Sequence, residues 1–151
     1  MNKEELKIAI TGILPEVIFD ETGEFLTAIV PSANLLPFMT NLRNKAEFEM
    51  DYLFCLTCID WKDHFMMVYH LLSRNHRHEF VVKAKLENRD KAEIETVCGI
   101  WKTAEFHERE VFDLFGVNFL HHPDMRRIFL DDNWAGFPLR KDYVDENMIE
   151  I

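Results

Sequence analysis

Three apolar stretches between residues 51 and 87 constrain the fold more than any other feature. The last of them, FVVKAKLE (residues 80–87), alternates strictly, and this pattern is typical of a strand that buries one face. Its apolar face would carry Phe80, Val82, Ala84 and Leu86. Only residues 62–63 and 74–77 separate the stretches, and connections this short favour antiparallel neighbours. The sequence therefore predicts a three-stranded meander at about residues 51–61, 64–73 and 78–87.

Further elements flank this meander on both sides. Apolar residues at helical spacing predict a helix over about residues 3–14, and residues 16–30 predict two strands around a turn at Glu21 to Gly23. Ser32 is a predicted cap for a second helix that runs to about Ala46. A third helix is predicted over about residues 94–115, because Ile94, Val97, Trp101, Ala104, Val111 and Phe115 fall on one stripe.

These elements predict a single α+β domain. We expect a mixed or mainly antiparallel sheet of about five strands with packed helices, followed by an extended C-terminal strap. The core would occupy residues 1–116, with Gly116 at the end of the third helix. Residues 117–151 would form a docking segment that does not fold independently.

Charged residues interrupt the pattern of the third helix. Glu108 falls in the apolar stripe, and we expect an arginine partner because a buried carboxylate is costly without a cation. Glu105, Arg109 and Asp113 are spaced for two pairs between residues four apart. Phe106 falls roughly opposite the stripe, which suggests either a break in the helix or a second buried face.

Composition and charge exclude several classes of function. The chain has 151 residues, 48% of them hydrophobic and 29% charged, which is ordinary for a globular protein. A formal net charge of −10 argues against nucleic acid as the main partner. Three cysteines without a signal peptide favour a reducing compartment. No apolar run is long enough to span a bilayer, so we expect any membrane role to come through a partner.

The possible metal ligands favour structural roles. Cys55 and Cys58 form a CxxC inside a predicted strand, where residues three apart point to opposite faces, so we expect two buried structural cysteines. Cys98 is the only other cysteine, and an iron–sulfur or four-cysteine site therefore cannot be assembled from this chain. His121, His122 and Asp124 could ligate a metal, but a rigid turn begun by His122-Pro123-Asp124 is the favoured interpretation.

Two basic pairs in residues 121–143 have more than one interpretation. Arg126-Arg127 and Arg140-Lys141 could together clamp an anion. Large apolar residues are interleaved with them, namely Ile128, Phe129, Leu130, Trp134 and Phe137. Arginine and aromatic residues are enriched at protein interfaces, whereas a small-molecule site needs a pocket framed by regular elements. The pattern therefore favours docking to another protein over ligand binding.

The run EREVFDLFGVNFLHHPDMRRIFLDDNWAGFPLRKDY, residues 108–143, closely resembles the signature of the C-type subunit of the NADH:quinone oxidoreductase of respiratory complex I. The likeness covers about the last two thirds of the chain. It departs from the family mildly, with Glu105-Phe106 in place of Asn-Trp and His121 in place of a common glycine. The matching signature residues are Glu108, Arg109, Glu110, Asp113, Gly116, His122, Pro123, Asp124, Arg126, Arg127, Trp134, Gly136, Pro138, Arg140, Lys141 and Asp142.

The resemblance implies a protein without catalytic residues or a cofactor of its own. Flavin and iron–sulfur clusters are expected in partner subunits, and electron transfer from NADH to quinone would be coupled to proton translocation by the whole complex. The resemblance also implies a peripheral position on the cytoplasmic face of the bacterial inner membrane, beside the quinone-cavity subunit. Two alternatives stay open: an accessory subunit of a membrane-bound nickel–iron hydrogenase complex, and a stand-alone anion-binding enzyme.

Overall fold

A five-stranded mixed sheet forms the centre of the protein, which we describe from a computed structural model covering residues 1–149. The strand order is β1-β2-β5-β4-β3; β2 and β5 are parallel, and the other neighbouring strands are antiparallel. The strands are β1 (Ile18–Asp20), β2 (Thr27–Pro31), β3 (Tyr52–Asp60), β4 (Phe65–Ser73) and β5 (His78–Leu86). This arrangement confirms the predicted α+β class and the meander of β3, β4 and β5.

Three helices and a small second sheet complete the described residues. They are α1 (Lys3–Ile13), α2 (Leu35–Asn44) and α3 (Ala104–Phe115), with β6 (Glu93–Glu95) and β7 (Asn118–Leu120) paired in parallel. Asn2 and Glu5 form a reciprocal capping box at the start of α1. None of these helices has both the length and the apolar character that a bilayer crossing requires.

The alternation within the meander sets the position of the core. Phe80, Val82, Ala84 and Leu86 are all buried, as predicted. On the neighbouring strand β4, Phe65, Met67, Tyr69 and Leu71 line the same inner face and are fully buried. Helix α3 packs against β3, and its buried side chains Val111 and Phe115 belong to the same hydrophobic core as the sheet.

Two predicted helix starts are wrong. Ser32 begins a short 3-10 turn (Ser32–Asn34), and α2 starts only at Leu35 without a side-chain cap. The helix predicted from residue 94 begins at Ala104, because Ile94 instead pairs with Phe119 in the small sheet. All six residues of the predicted stripe are nevertheless buried, so the pattern identified the core correctly and the conformation incorrectly.

The boundary between core and docking segment at residue 116 stays a prediction. Two residues shortly beyond it, Val117 and Phe119, are 0% and 1% exposed and belong to the hydrophobic core. From His121 to residue 149, the described chain contains turns and bends and no helix or strand. We refer to residues 121–149 below as the C-terminal segment.

Candidate functional site

The C-terminal segment begins with a turn that α3 helps to hold. The His122 ring accepts a hydrogen bond at Nδ1 from the backbone N–H of Asp124 at 3.0 Å. Its Nε2 lies 3.0 Å from the Glu105 carbonyl oxygen and therefore carries the hydrogen that is donated there. The chain beside Pro123 is thus fixed as a turn, and His121, at φ +65°, adopts the left-handed conformation within it.

Asp113 on α3 anchors the middle of the C-terminal segment. Its fully buried carboxylate accepts hydrogen bonds from the backbone N–H groups of Ile128, Phe129 and Leu130 at 3.2, 2.7 and 3.1 Å. The Arg127 guanidinium donates to the same carboxylate at 2.9 Å. Burial raises the pKa of the Asp113 carboxyl, but these donors outweigh burial and hold the pKa below its usual value.

Two arginines are turned inward and bind backbone carbonyls of the segment. Arg127 donates to the carbonyl oxygens of Trp134 and Gly136 at 3.1 and 3.0 Å. Arg109, 6% exposed, donates to the carbonyl oxygens of Arg126 and Arg127 at 3.1 and 2.9 Å. Because the segment has no regular hydrogen bonding of its own, these arginines satisfy carbonyl groups that a helix or strand would otherwise pair.

Asp60, at the end of β3, anchors the distal part of the segment. Its buried carboxylate accepts a hydrogen bond from the backbone N–H of Lys141 at 2.8 Å and pairs with Arg89 at 2.8 Å. Arg89 also lies 3.3 Å from the carboxylate of Asp142. Burial raises the pKa of Asp60, but the backbone donors Lys141 and Lys62 together with Arg89 give a net lowering.

Arg140 fixes the segment against the end of α3. Its Nε donates to the Phe115 carbonyl oxygen at 2.6 Å, and its guanidinium lies 5.1 Å from the ring centroids of both Phe65 and Phe137. Gly116 ends α3 as predicted, with a left-handed φ of +78°. A Cβ at Gly116 would lie 2.6 Å from the Phe137 ring and 2.8 Å from Arg140 Nη2, so only glycine allows this close approach.

The arginine partner expected for Glu108 is not found within residues 1–149. Glu108 is fully buried, and its carboxylate accepts hydrogen bonds from Thr96 Oγ1 at 2.5 Å and from the backbone N–H of Val97 at 2.8 Å. The candidates Arg109, Arg126 and Arg127 bind groups of the C-terminal segment or Asp113 instead. Burial raises the pKa of the Glu108 carboxyl to about 7, since its donors are neutral.

Two more expectations about α3 are wrong. Arg109 and Asp113 bind the C-terminal segment, so the expected pairs between Glu105, Arg109 and Asp113 do not form. Phe106 is 58% exposed on an unbroken helix, with the Arg109 guanidinium 5.8 Å from its ring centroid. Its position opposite the stripe therefore marks neither a break nor a second buried face.

Cys98, Glu108 and His122 bring possible metal-ligating atoms within 4.8 Å of one another. Their hydrogen bonds oppose ligation, however. Nδ1 of His122 already accepts from Asp124, Nε2 donates to Glu105, and both Glu108 oxygens accept protein donors. A metal ion would have to replace several of these bonds, and the cluster is better explained as a satisfied structural network.

The CxxC cysteines occupy different environments. Cys58 is buried, and burial raises the pKa of its thiol to about 12, so it is a poor nucleophile at neutral pH. Cys55 is only partly buried, which corrects the expectation that both would be buried. The two cysteines lie in the same strand, β3, and differ in exposure.

The outer surface of the C-terminal segment carries exposed apolar side chains. Phe129, Trp134, Leu139 and Val144 are 66%, 40%, 53% and 86% exposed. Of the other signature residues, Glu110 and Pro123 are exposed and Pro138 is partly buried. The segment is therefore held from within by buried charges and presents apolar groups outward.

Sequence reasoning missed two residues of this arrangement. Asp60 and Arg89 form the buried ion pair that holds Lys141, and neither was singled out. A lone aspartate at the end of the apolar run YLFCLTCID was a usable signal, because a buried carboxylate needs several donors. Nothing in the sequence around Arg89 indicated its role.

Comparison with known proteins agrees with the signature. Residues 28–147 match the family model of the respiratory-chain NADH dehydrogenase 30 kDa subunit. The C-type subunit of NADH-quinone oxidoreductase from Moorella thermoacetica is 38% identical, over 87% of this chain and 88% of that protein. The corresponding protein of Geotalea uraniireducens is 43% identical, over 82% of this chain and 77% of that protein.

A longer relative and a solved structure extend the comparison. The C/D-type subunit of NADH-quinone oxidoreductase from Phocaeicola vulgatus is 48% identical over 120 residues, and the chain spans only 22% of that protein. In the solved membrane-bound sulfane sulfur reductase, an archaeal respiratory membrane complex, one chain superposes with a TM-score of 0.81 at 28% identity. That match covers 93% of this chain and 85% of the other. By the match over residues 28–147 and the relatives aligned along most of their length, this chain belongs to the family of the respiratory-chain NADH dehydrogenase 30 kDa subunit.

Proposed function

We propose that the chain is the C-type subunit of an NADH:quinone oxidoreductase and acts by assembly. In this proposal it has no catalytic residues and no cofactor, and the flavin and iron–sulfur clusters belong to partner subunits. The complex would couple electron transfer from NADH to quinone with proton translocation. The chain would lie in the peripheral arm on the cytoplasmic face of the membrane.

One observation carries the proposal. The C-terminal segment, with no helix or strand in its described part, is clamped to the domain by Asp113, Arg109, Arg127 and Asp60. Its exposed apolar side chains, Phe129 at 66% and Leu139 at 53% among them, have no cover within residues 1–149. A segment fixed so firmly with apolar groups facing outward fits a docking surface better than a free tail.

The relatives support one particular neighbour for the chain. The Phocaeicola vulgatus protein is named as a C/D fusion, so C-type and D-type sequences share one polypeptide there. This supports a D-type subunit as the neighbour on which the C-terminal segment docks, and in this proposal that neighbour helps to form the quinone cavity. The signature residues Glu108 to Asp142 would then act by shaping the docking segment.

The alternatives have weaker support. Identities of 38% to 48% with NADH-quinone oxidoreductase subunits favour that complex over hydrogenase-type complexes. The 28% identical chain of the sulfane sulfur reductase keeps a related respiratory complex as the second candidate. An anion-binding enzyme has little support, because Arg127 and Arg140 already bind carboxylate and carbonyl groups of the same chain.

The test is co-purification from membranes with a tagged copy of the chain. We expect NADH:quinone activity and the D-type subunit, identified by mass spectrometry, to follow the tag. The double variant Phe129→Ser, Leu139→Ser should fold but leave the complex. A matched control, Ile8→Ser, Ile18→Ser, alters side chains that are 73% and 64% exposed outside the segment and should assemble normally. A complex with hydrogenase centres, or a tagged chain recovered alone, would contradict the proposal.

A further inference from the structure

We propose that the outer face of the C-terminal segment docks on a surface that is apolar and basic, so that this chain supplies the carboxylates of the interface. The inference rests on the proposed function and specifies the chemistry of the neighbour. The charge of this interface is then opposite to that of the two basic pairs, Arg126-Arg127 and Arg140-Lys141.

The basic side chains are mostly occupied inside the molecule. Arg127, with an 11% exposed side chain, binds Asp113 and two carbonyl groups, and Arg140 lies between two phenylalanine rings. Arg126 is exposed, but its Nε lies 2.9 and 3.0 Å from the two oxygens of Asp124. The Lys141 ammonium lies 5.9 Å from the centroid of Trp61. One of the four cations therefore faces solvent without a carboxylate partner in residues 1–149.

Carboxylates dominate the outward charge. Asp131, Asp132 and Glu146 are exposed, and within residues 1–149 their side chains form no hydrogen bond and no ion pair. The side chain of Asp142 is 66% exposed, and its carboxylate lies 3.3 Å from Arg89 Nη2. Three unpaired carboxylates against one unpaired cation make the exposed surface of the segment acidic over its described part.

In the sequence, these carboxylates lie next to the exposed apolar side chains of the segment. Asp131 and Asp132 lie between Phe129 and Trp134 in the sequence, and Glu146 follows Val144. An apolar centre with a charged rim is the usual anatomy of a protein interface, and the rim of the partner is expected to carry the opposite charge. The net charge of −10 on the whole chain strengthens this preference. The same charge would repel the surface of an anionic membrane. We therefore expect the C-terminal segment to contact a basic protein surface.

The experiment compares two triple charge reversals within the complete complex. The segment variant is Asp131→Lys, Asp132→Lys, Glu146→Lys. The control is Glu16→Lys, Glu24→Lys, Glu47→Lys, which makes the same change in net charge at exposed glutamates outside the segment. Quantitative mass spectrometry of complex purified from membranes measures how much of the chain is retained. We expect the segment variant to lose retention by about tenfold and the control by less than about twofold.

A second variant controls for misfolding as a cause of lost retention. Asp131→Asn, Asp132→Asn, Glu146→Gln removes the charges with almost no change in shape and should lose retention by about threefold, with a weaker dependence on salt. Equal retention of the segment reversal and its control would overturn the inference, as would tighter retention of the reversal. Wild-type chain missing from the complex would instead refute the proposed function, so the two failures are distinguishable.

Discussion

Glu108 and Asp113 are both fully buried on α3, yet the pKa values of their carboxyl groups are shifted in opposite directions. The two donors to Glu108 are neutral, and burial raises its pKa to about 7. Asp113 receives three backbone N–H groups and the Arg127 guanidinium, and its pKa is lowered. On this helix, several backbone donors and a guanidinium lower a carboxyl pKa despite burial, whereas two neutral donors do not offset it. Glu108 contacts groups of the protein interior, whereas Asp113 holds the C-terminal segment against α3.

The largest effect is expected at Asp113. In Asp113→Asn the Arg127 guanidinium loses its charged partner while still buried, and the amide NH₂ competes with the backbone donors. We expect a loss of about 3 to 5 kcal/mol in the free energy of unfolding at pH 7, measured by urea denaturation. Asp131→Asn, at an exposed position, should change it by less than about 0.5 kcal/mol. Equal stabilities of the two variants would show that the charge of Asp113 is unimportant.

The state of Glu108 should be visible in the pH dependence of stability. Its pKa is about 7 in the folded chain and 4.5 without burial, so the folded state binds more protons between these values. Stability from this group is therefore full below pH 4.5 and is lost as pH rises toward 7. At about 1.4 kcal/mol for each pH unit, the loss is at most about 3.5 kcal/mol.

Glu108→Gln tests this prediction directly. The amide keeps an acceptor for the Val97 N–H but cannot ionise, so the decline in stability as pH rises toward 7 should disappear. At alkaline pH the variant should be at least as stable as the wild type, in contrast to Asp113→Asn. The measurement is a series of thermal melts from acidic to mildly alkaline pH. Parallel curves for wild type and variant would mean that Glu108 stays ionised when folded.

The smallest effect is expected from zinc. Because protein donors and acceptors already satisfy the side chains of His122 and Glu108, added Zn²⁺ would gain little at the cluster with Cys98. We expect the melting temperature to change by less than about 1 °C at equimolar Zn²⁺. A larger rise that is lost in Cys98→Ala would assign a metal site to this cluster.

The sequence predicted the sheet and the core well, because both depend on local alternation of apolar residues. Val97 and Trp101 were correctly placed in the core, but helical spacing could not reveal that Ile94 pairs with Phe119, a contact between distant parts of the chain. The partners of Glu108 and Arg109 were mispredicted for the same reason. Sequence spacing shows which charges can meet along a helix, whereas here both residues contact other segments.

The bond between Asp60 and the backbone N–H of Lys141 joins residues 81 positions apart, and this separation has a consequence for biosynthesis. The sheet that carries Asp60 can form while later residues are still being added, but its carboxylate receives that donor only after residue 141 has left the ribosome. Contacts between residues so far apart in sequence carry a larger entropic cost of loop closure than local contacts do. A chain that stops before residue 141 would lack this closure and the ordered surface around it. Asp60 thereby makes the order of the C-terminal segment depend on its completed synthesis.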